Sequence, residues 1–247
     1  MIKIYENAEA LGIAVAEFFL EKACAAVAKR GRFTVALAGG QTPRYIYEIW
    51  GKPPYSTAIP WQKVHVFWGD ERYVMADDIR SNQCMARKAF LDQVPIPQEQ
   101  IHPILYKNSP HQSAQEYEQV IRSTFLQEKP QFDLILLGLG SDGHTASLFP
   151  HTSILNEIEQ WVGHVYIPEQ DSHRVTLTAP LINQGKTIVF LVTGDNKAEI
   201  VHEVLEGARD SQRLPSQMIA PQQGDLYWFM DKGAGRLLSE KCKENHQ

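Results

Sequence analysis

Short runs rich in β-branched and aromatic residues recur along the chain, and longer amphipathic stretches separate them. This alternation is typical of βα units built around a largely parallel sheet. Several runs are almost entirely apolar, as expected for strands that are covered on both faces. The predicted strands are Phe33–Ala38, Val64–Trp68, Asp133–Leu137, Arg174–Thr178, Thr187–Val192 and Leu226–Met230. We therefore predict an α/β fold with a largely parallel sheet and helices on both faces.

Helices are predicted between these strands from capping residues and apolar periodicity. Asn7 is suited to cap a helix that stops at Gly31, and further helices are expected at Ser113–Leu126 and Asp195–Leu205. The polar residues Glu240–Gln247 at the end of the chain are expected to be frayed. Since no repeat, low-complexity tract or shift in composition divides the sequence, we expect the whole chain to form a single domain.

The charge balance limits the partners of the chain. There are 24 Lys and Arg residues against 29 Asp and Glu residues, which gives a net charge of −5. Because the chain carries no excess of positive charge, neither nucleic acid nor an anionic membrane is an expected partner. A small anionic molecule remains a candidate ligand, since a few local cations are enough to bind it.

The cysteines and the N-terminus indicate a reducing compartment. Cys24, Cys84 and Cys242 are far apart and odd in number, so neither a disulfide framework nor a cysteine zinc site is expected. The segment Met1–Asn7 lacks the basic and apolar regions of a signal peptide. No apolar run approaches the roughly 18 residues that a membrane helix needs. We therefore expect a cytoplasmic protein.

Four predicted strands are each followed by a segment whose composition is unusual for a simple connecting loop. In open α/β sheets, ligands bind outside the carboxyl ends of the strands, so these segments are the first candidates for a site. Each combines glycine with polar or charged side chains. The four segments are Gly39–Pro43, Gly69–Arg72, Gly138–Thr145 and Gly194–Lys197.

The first of these segments has the features of a tight turn into a helix. Gly39 and Gly40 let the backbone turn sharply, Thr42 is available as the helix N-cap, and Pro43 is preset for the first helical turn. Such a helix start presents free N–H groups to which phosphate commonly binds. A plain strand-to-helix turn is the alternative interpretation. The segment is not a P-loop, because no Gly-Lys-Ser or Gly-Lys-Thr follows.

The segment Gly138–Gly143 matches the G-x-G-x-x-G pattern of dinucleotide-binding proteins. The match is incomplete, because no strand that ends in an acidic residue follows about 20 residues later. We favour a glycine-rich turn that presents Asp142 and His144 at the sheet edge, where a carboxylate and an imidazole can share one pocket. Imidazole suits proton transfer near neutral pH, although an Asp-x-His pair can also be structural.

Charged residues at the other strand ends allow a structural or a binding role. Asp70, Glu71 and Arg72 could form a local ion-pair cluster, or Arg72 could bind a phosphate or carboxylate. Lys197 could meet an anion at a helix start or be a solvated surface lysine. Arg174 opens a predicted strand, which would place it at the rim of the sheet.

No sequence pattern indicates a metal or a covalent intermediate. His202 and Glu203 lack the second histidine of a zinc-binding H-E-x-x-H motif, and His144 and His151 are too loosely spaced to argue for a metal. The pattern Gly-x-Ser-x-Gly is absent, and no cysteine accompanies a histidine in a catalytic motif. We therefore predict chemistry without a metal, a cofactor or a nucleophilic side chain.

Several sequence blocks occur in a characteristic order and at a characteristic spacing. They are Val35–Pro43, Phe67–Val74 with Ser81 and Asn82 after it, Gly138–Pro150, Arg174–Thr178 and Gly194–Ala198. Together they resemble the glucosamine-6-phosphate isomerase/6-phosphogluconolactonase family, and most specifically its lactonases. The resemblance covers nearly the whole chain, and its long third block is the most specific part.

This resemblance implies a single modified Rossmann-like domain that binds a sugar phosphate at its strand ends without a cofactor. The implied reaction is the hydrolysis of 6-phospho-D-glucono-1,5-lactone in the oxidative pentose phosphate pathway. By position, His144 resembles the base that activates water, and Asp142 resembles its acidic neighbour. The implied substrate-binding residues are Gly39, Gly40, Thr42, Asp70, Arg72, Arg174 and Lys197.

Two other functions fit parts of this pattern. An aminosugar-phosphate isomerase or deaminase would need further acid–base groups, and the segment Thr145–Pro150 lacks the acidic residue that those relatives place before the proline. A non-catalytic sugar-phosphate-binding regulator would carry a DNA-binding module, and the sequence contains no basic helix-turn-helix segment. We expect a small-molecule sugar-phosphate lactone as the partner, and a monomer or a small homo-oligomer.

Overall fold

Two β-sheets form the framework of the computed structural model, which describes residues 1–125 and 130–244. The strands are β1 (Ile2–Tyr5), β2 (Phe33–Leu37), β3 (Val64–Trp68), β4 (Asp70–Arg72), β5 (Leu134–Leu137), β6 (Val162–Ile167), β7 (Ser172–Leu177), β8 (Thr187–Val192) and β9 (Asp225–Asp231). The larger sheet has the order β1-β9-β8-β5-β2-β3, and all its neighbouring strands are parallel. The smaller sheet, β4-β7-β6, is antiparallel.

Helices flank the parallel sheet. They are α1 (Ala8–Arg30), α2 (Gln41–Trp50), α3 (Tyr55–Ala58), α4 (Asn82–Ala89), α5 (Pro110–Phe125), α6 (Ala179–Ile182), α7 (Ala198–Glu206) and α8 (Glu240–Glu244). The long helix α1 packs against β1, β2 and β9, whereas α5 packs against β6 and β7. The predicted α/β fold with a largely parallel sheet is confirmed. Within the described ranges, no helix is both long and apolar enough to cross a membrane.

Helix α1 has the two ends that the sequence predicts. The side chain of Asn7 accepts a hydrogen bond from the backbone N–H of Ala10 at 2.9 Å, which caps the first turn. At the other end Gly31 adopts φ 75°, a left-handed conformation that glycine accommodates without steric cost, and its N–H donates to the carbonyl of Val27. Both boundaries are therefore set by local chemistry.

The core lies on both faces of the parallel sheet. Every residue of β2, β5 and β8 is buried, which is why these strands are almost entirely apolar in sequence. On one side, the rings of Phe19 and Trp50 join α1 to α2 with their centroids 4.1 Å apart. Phe190 stacks on Trp228 at 3.9 Å between neighbouring strands. These contacts pack the helices together and join neighbouring strands of the sheet.

Some predicted boundaries differ from the structure. The predicted helix Asp195–Leu205 is a 3-10 turn over Asp195–Lys197 followed by α7. The expectation of a frayed tail is wrong for 240–244, which form α8, while 245–247 lie outside the described residues. The predicted end of a helix at Leu126 also lies outside them, and its described part begins earlier, at Pro110.

The strand order places a crevice between β2 and β5. The chain passes from β2 to β3 on one side of β2, whereas β5 lies on the other side and leads outward to β8 and β9. Loops that follow β2 and β5 therefore depart in opposite directions and leave an opening at the carboxyl ends of these two strands. Ligands bind in openings of this kind in α/β proteins.

Candidate active site

A cavity of about 230 Å³ opens at the carboxyl ends of β2 and β5. Strands β4 and β7 of the smaller sheet form another of its walls. The cavity brings together most of the residues that the family resemblance implies, namely Gly39, Gly40, Asp70, Arg72, His144 and Arg174. Its size suits a small molecule, and its lining combines an imidazole, a carboxylate and two guanidinium groups.

The turn after β2 differs from its predicted form. Gly40 adopts φ 102° and holds the N-cap position of α2, so the helix begins at Gln41. The prediction that Thr42 is the N-cap is therefore wrong, because the glycine turn ends earlier than expected. Instead, the hydroxyl of Thr42 is hydrogen bonded to the hydroxyl of Thr193 at 2.6 Å. Thr42 thus ties the start of α2 to the end of β8.

Gly39 makes room for a cavity residue that the predicted set does not contain. A Cβ atom at Gly39 would lie 2.2 Å from Oδ1 of Asn82, so a larger residue would displace that side chain. Asn82 begins α4, lines the cavity, and donates from Nδ2 to the backbone carbonyl of Asp70 at 2.9 Å. The only sequence signal for Asn82 was its place in the Ser81-Asn82 pair of the family blocks.

His144 and Asp142 are hydrogen bonded in the turn that follows β5. The distance from Nδ1 of His144 to Oδ1 of Asp142 is 2.5 Å, and the backbone N–H of His144 donates to the same oxygen at 3.1 Å. Gly143, with φ 80°, allows the chain to turn between them. Because Nδ1 faces the carboxylate, we assign the proton of the neutral ring to Nδ1, which leaves Nε2 to accept a proton from a ligand.

Two neighbours hold the imidazole ring of His144 in one orientation. Phe149 stacks on it with the ring centroids 4.0 Å apart and an interplanar angle of 21°. On Gly140, a Cβ atom would lie 2.0 Å from Nδ1 of His144, so glycine is required beside the ring. Phe149 also lines the cavity, and its only sequence signal was its place in the Gly138–Pro150 block of the family resemblance. The ring is thus fixed before any ligand arrives.

Asp142 has a lowered pKa although it is partly buried. Burial alone would raise the pKa of this carboxyl, but the hydrogen bonds from His144 and the charge of that imidazole together lower it below its ordinary value. Asp142 lies outside the cavity lining and borders a neighbouring groove that shares Phe149 and Gln170 with it. The carboxylate can therefore orient the ring of His144 and stabilise its protonated form from outside the cavity.

Arg72 and Arg174 form the cationic wall of the cavity. They are directly opposite each other on β4 and β7, and each has a buried Nε that makes no hydrogen bond to the described residues. Arg72 donates from Nη1 to the carbonyl of Arg80 at 2.5 Å, and Arg174 donates from Nη2 to Oε1 of Gln170. Like charges on opposed residues destabilise a sheet, whereas an anion between them reverses that effect. This wall therefore suits a phosphate or a carboxylate.

Arg174 is more deeply placed than the sequence predicts. It lies inside β7, which begins at Ser172, and only 7% of its surface is exposed. Its predicted position at the start of a strand on the sheet rim is therefore wrong, because β7 is longer than expected and pairs with both β4 and β6. Burial lowers the pKa of this guanidinium, and the charge of Arg72 adds to that effect. An anion in the cavity would favour the charged guanidinium and so oppose both effects on its pKa.

Asp70 and Glu71 do not form an ion-pair cluster with an arginine among the described residues. Glu71 accepts hydrogen bonds from the first two backbone N–H groups of α4, at 2.7 and 2.8 Å, and from the Ser81 hydroxyl at 3.0 Å. Burial raises the pKa of Glu71 to about 7, although these hydrogen bonds oppose the shift. Asp70 accepts from the hydroxyl of Ser147 at 2.7 Å. Glu71 is thus a cap for α4, and Asp70 is the carboxylate that lines the cavity.

Lys197 approaches the site from behind the glycine-rich turn. Its Nζ donates to the carbonyl of Leu139 at 2.8 Å, and Leu139 in turn lines the cavity. Burial lowers the pKa of Lys197, whereas the charge of Asp142 opposes that shift. The structure therefore brings Arg72 and Arg174 together in one wall, whereas Lys197 lies outside the cavity lining and contacts the segment that leads to His144.

The glycine-rich segment does not build a dinucleotide site. After β5 the chain forms a series of turns, without the helix at Gly143 that would bind a pyrophosphate. The next strand begins at Val162 and belongs to the antiparallel sheet. Among residues 1–125 and 130–244, no group of three or more His, Cys, Asp or Glu side chains is arranged to hold a metal ion.

Comparison with known proteins shows the class of this fold and site. A family model for glucosamine-6-phosphate isomerases/6-phosphogluconolactonase matches residues 6–228, and the chain belongs to this family. A 6-phosphogluconolactonase of Synechocystis sp. is 47% identical over 218 residues, which cover 86% of this chain and 88% of that protein. One from Nostoc sp. is 42% identical over 228 residues, which cover 90% of this chain and 92% of that protein. The family resemblance expected from the sequence is confirmed.

A solved structure extends the likeness to three dimensions. The 6-phosphogluconolactonase from Trypanosoma cruzi matches with a TM-score of 0.85 at 27% identity, covering 96% of each chain. At this coverage, nearly the whole chain shares its fold with that protein. The architecture that positions the cavity is therefore shared with that protein.

Proposed function

We propose that the protein hydrolyses 6-phospho-D-glucono-1,5-lactone to 6-phosphogluconate, a step of the oxidative pentose phosphate pathway. One observation carries this proposal. The imidazole of His144, hydrogen bonded to Asp142, shares one small cavity with the opposed guanidinium groups of Arg72 and Arg174. A phosphorylated lactone presents the two matching features, an electrophilic carbonyl and a remote dianion. The names of the related proteins from Synechocystis and Nostoc agree with this activity.

His144 is the proposed general base. Its Nε2 takes a proton from water while the water oxygen bonds to the lactone carbonyl carbon, which leaves a negative tetrahedral oxygen. When that intermediate collapses, the bond from carbon to the ring oxygen breaks, and the ring oxygen leaves as a hydroxyl with the proton from His144. The acid so formed then ionises. Asp142 keeps the ring in the required tautomer and stabilises its cationic form.

The remaining predicted residues are assigned to substrate binding. Arg72 and Arg174 bind the phosphate, because their buried Nε groups and their opposed positions favour an anion between them. Lys197 adds positive charge from behind the turn. As the family resemblance implies, Thr42 and the backbone of Gly39 and Gly40 contact the phosphate or the sugar, and Asp70 is a further substrate-binding residue. Binding the remote phosphate fixes the position of the carbonyl at His144.

The alternative functions are less well supported. An aminosugar-phosphate isomerase or deaminase must open a ring and move a proton between carbons, which needs acid–base groups beyond His144 and Asp142. The turn 145–150 supplies none, since it reads Thr-Ala-Ser-Leu-Phe-Pro. A non-catalytic binding protein has no need of an imidazole held by a carboxylate, a glycine and an aromatic ring.

We further propose that the partner is this small molecule alone, without nucleic acid or membrane, and that the chain acts in the cytoplasm as a monomer or a small homo-oligomer. The net charge of −5 supports the first part, because polyanions have no general attraction to such a surface. The proposed chemistry also requires no metal and no cofactor. A lactone carbonyl is electrophilic enough for a positioned water and a base.

The decisive experiment is a coupled assay with freshly generated lactone. The lactone is formed from glucose 6-phosphate by its dehydrogenase, and 6-phosphogluconate is read with a second dehydrogenase after subtraction of spontaneous hydrolysis. We expect the protein to accelerate the hydrolysis of the lactone to 6-phosphogluconate. EDTA treatment of the protein should leave that acceleration intact. A rate equal to the spontaneous rate would refute the function. A loss with EDTA that zinc or magnesium restores would refute its metal-free part.

A further inference from the structure

One serine links the turn that carries His144 to the strands that carry the arginines. Ser147 is fully buried, and its Oγ donates to Oδ2 of Asp70 at 2.7 Å. Its backbone N–H donates to Oγ1 of Thr176 at 3.2 Å. Asp70 and Thr176 are also buried, so removal of either hydrogen bond would leave a polar atom unpaired away from water.

Both partners of Ser147 lie beside the arginine pair. Asp70 on β4 is directly opposite Thr176 on β7, just as Arg72 is opposite Arg174. Side chains two residues apart on a strand point to the same face of a sheet. Ser147 therefore binds Asp70 and Thr176, the opposed residues next to the arginine pair, on the face of the sheet that lines the cavity.

The other end of this link is fixed close to the base. The hydroxyl of Thr145 donates to the carbonyl of Gly138 at 2.8 Å, and the backbone N–H of Leu148 donates to the carbonyl of Thr145 at 2.9 Å. Between them, Ala146 has φ 47°, a left-handed conformation that a non-glycine residue keeps only where its surroundings hold it. The segment from His144 to Ser147 is thus a tied turn whose parts move together.

We propose that Ser147 is a positioning residue that sets the distance between His144 and the arginine pair. The proposal rests on the proposed lactonase function, in which one rigid substrate must reach the arginines with its phosphate and His144 with its carbonyl. A misplacement of about 1 Å between two such groups can cost about 10²-fold in rate. Ser147 touches neither end of the substrate and acts by holding the two protein groups in register.

The test compares variants that each remove one of the two hydrogen bonds. Ser147→Ala removes the bond to Asp70. Thr176→Val keeps side-chain shape but removes the acceptor of the Ser147 N–H, together with the bond that the Thr176 hydroxyl donates to the carbonyl of Leu177 at 3.0 Å. With 6-phosphogluconolactone, we expect kcat to fall by about tenfold or more while KM changes by less than about twofold. The arginines still bind the phosphate in these variants, but the carbonyl no longer meets the base.

The matched control is Ser216→Ala. Ser216 is also buried, and its backbone N–H donates to the carbonyl of Gly143 in the same turn, at 2.9 Å. Its hydroxyl has no partner among the described residues, so the substitution removes no bond. We expect wild-type kcat and KM for this variant.

A double-mutant cycle distinguishes positioning from simple support of the fold. Once Arg174→Ala has removed part of the phosphate anchor, adding Ser147→Ala should have little further effect on kcat/KM. Fully additive losses, a change confined to KM, or unchanged kinetics in Ser147→Ala would each overturn the proposal. If Ser147→Ala does not fold, Thr176→Val is judged by the same criteria. An inactive but folded wild-type protein would instead refute the proposed function.

Discussion

Arg72 and Arg174 occupy directly opposed positions on two antiparallel strands, and both side chains line the cavity that holds His144. This arrangement is unfavourable in the empty protein, because two positive charges share a wall and one of them is buried. We expect a phosphate bound between them to replace this repulsion with two charge-assisted contacts. The arginine pair thus makes the affinity of the cavity depend on the charge of the ligand.

We expect Arg72→Ala and Arg174→Ala to weaken the reaction of the phosphorylated lactone much more than that of an unphosphorylated lactone. A hydrogen bond to a charged group contributes about 1.5–3 kcal/mol, which corresponds to a loss of about 10- to 150-fold in kcat/KM. Lys197→Ala should show the same preference. Equal losses on both substrates would indicate a structural role, and Arg87→Ala, at a surface ion pair with Asp92, serves as the control.

His144→Gln should keep the fold and the binding of substrate while lowering kcat by about 10²–10⁴-fold, the range that general base catalysis contributes. Glutamine preserves polarity and approximate size but cannot accept the proton from water. The measurement is kcat above the spontaneous rate, together with a melting curve. Near wild-type turnover in the folded variant would show that His144 is not the base.

Gly140→Ala should reduce kcat by about tenfold or more, because its Cβ would lie 2.0 Å from Nδ1 of His144 and would displace the ring from Asp142. Gly138→Ala in the same loop is the comparison, since its Cβ would make an ordinary contact of 3.9 Å with the carbonyl of Gly39. The measurement is kcat of both variants from steady-state kinetics. Similar losses at the two glycines would mean that the loop, and not the ring position, is disturbed.

Acid should destabilise the protein through a histidine pair far from the cavity. Nδ1 of His65 and Nε2 of His102 are 3.2 Å apart, and burial, with a smaller effect of His65, lowers the pKa of His102 to about 4. Since the folded pKa lies below the unfolded value of 6.5, this stabilisation is present above pH 6.5 and is lost as the pH falls through 4. The free energy of unfolding should therefore decrease over that window.

The variant His102→Gln tests this expectation. Glutamine can still hydrogen bond to His65 but does not titrate, so the unfolding free energy should fall less steeply between pH 6.5 and 4 than in the wild type. The exposed His202 provides a control substitution, His202→Gln, which should follow the wild-type profile. Parallel curves for wild type and His102→Gln would show that the pair does not contribute.

The central strands of the parallel sheet were predictable because they are buried on both faces, whereas the partly buried edge strand β1 was not predicted. The sequence predicts Phe33–Ala38 as a strand, and β2 covers Phe33–Leu37 with every residue buried. By contrast, β4 consists of Asp70, Glu71 and Arg72, which form a strand only because β7 pairs with them. Strand β6 was not predicted either. The backbone N–H group at its first residue, Val162, donates to the carboxylate of Glu118 at 3.1 Å, a contact 44 residues away along the chain.

The contacts of the site that were predictable join residues close together in the sequence. His144 and Asp142 are two residues apart in one turn, so their contact followed from the sequence. The contact between Ser147 and Asp70 spans 77 residues, and no pattern in the chain indicates it. The burial of Arg174 was missed for a similar reason, since the length of β7 depends on pairing with two other strands.

The proposed base and the arginines originate from different sheets, with His144 after parallel strand β5 and Arg72 and Arg174 on antiparallel strands β4 and β7. Hydrolytic chemistry and anion preference are therefore encoded in separate segments of the chain. We expect changes in β4 and β7 to alter the preference for a phosphorylated over an unphosphorylated lactone, while the proposed base at His144 remains intact. For the same reason, β4 and β7 are the strands to redesign when a lactonase of this family is to accept a lactone of different charge.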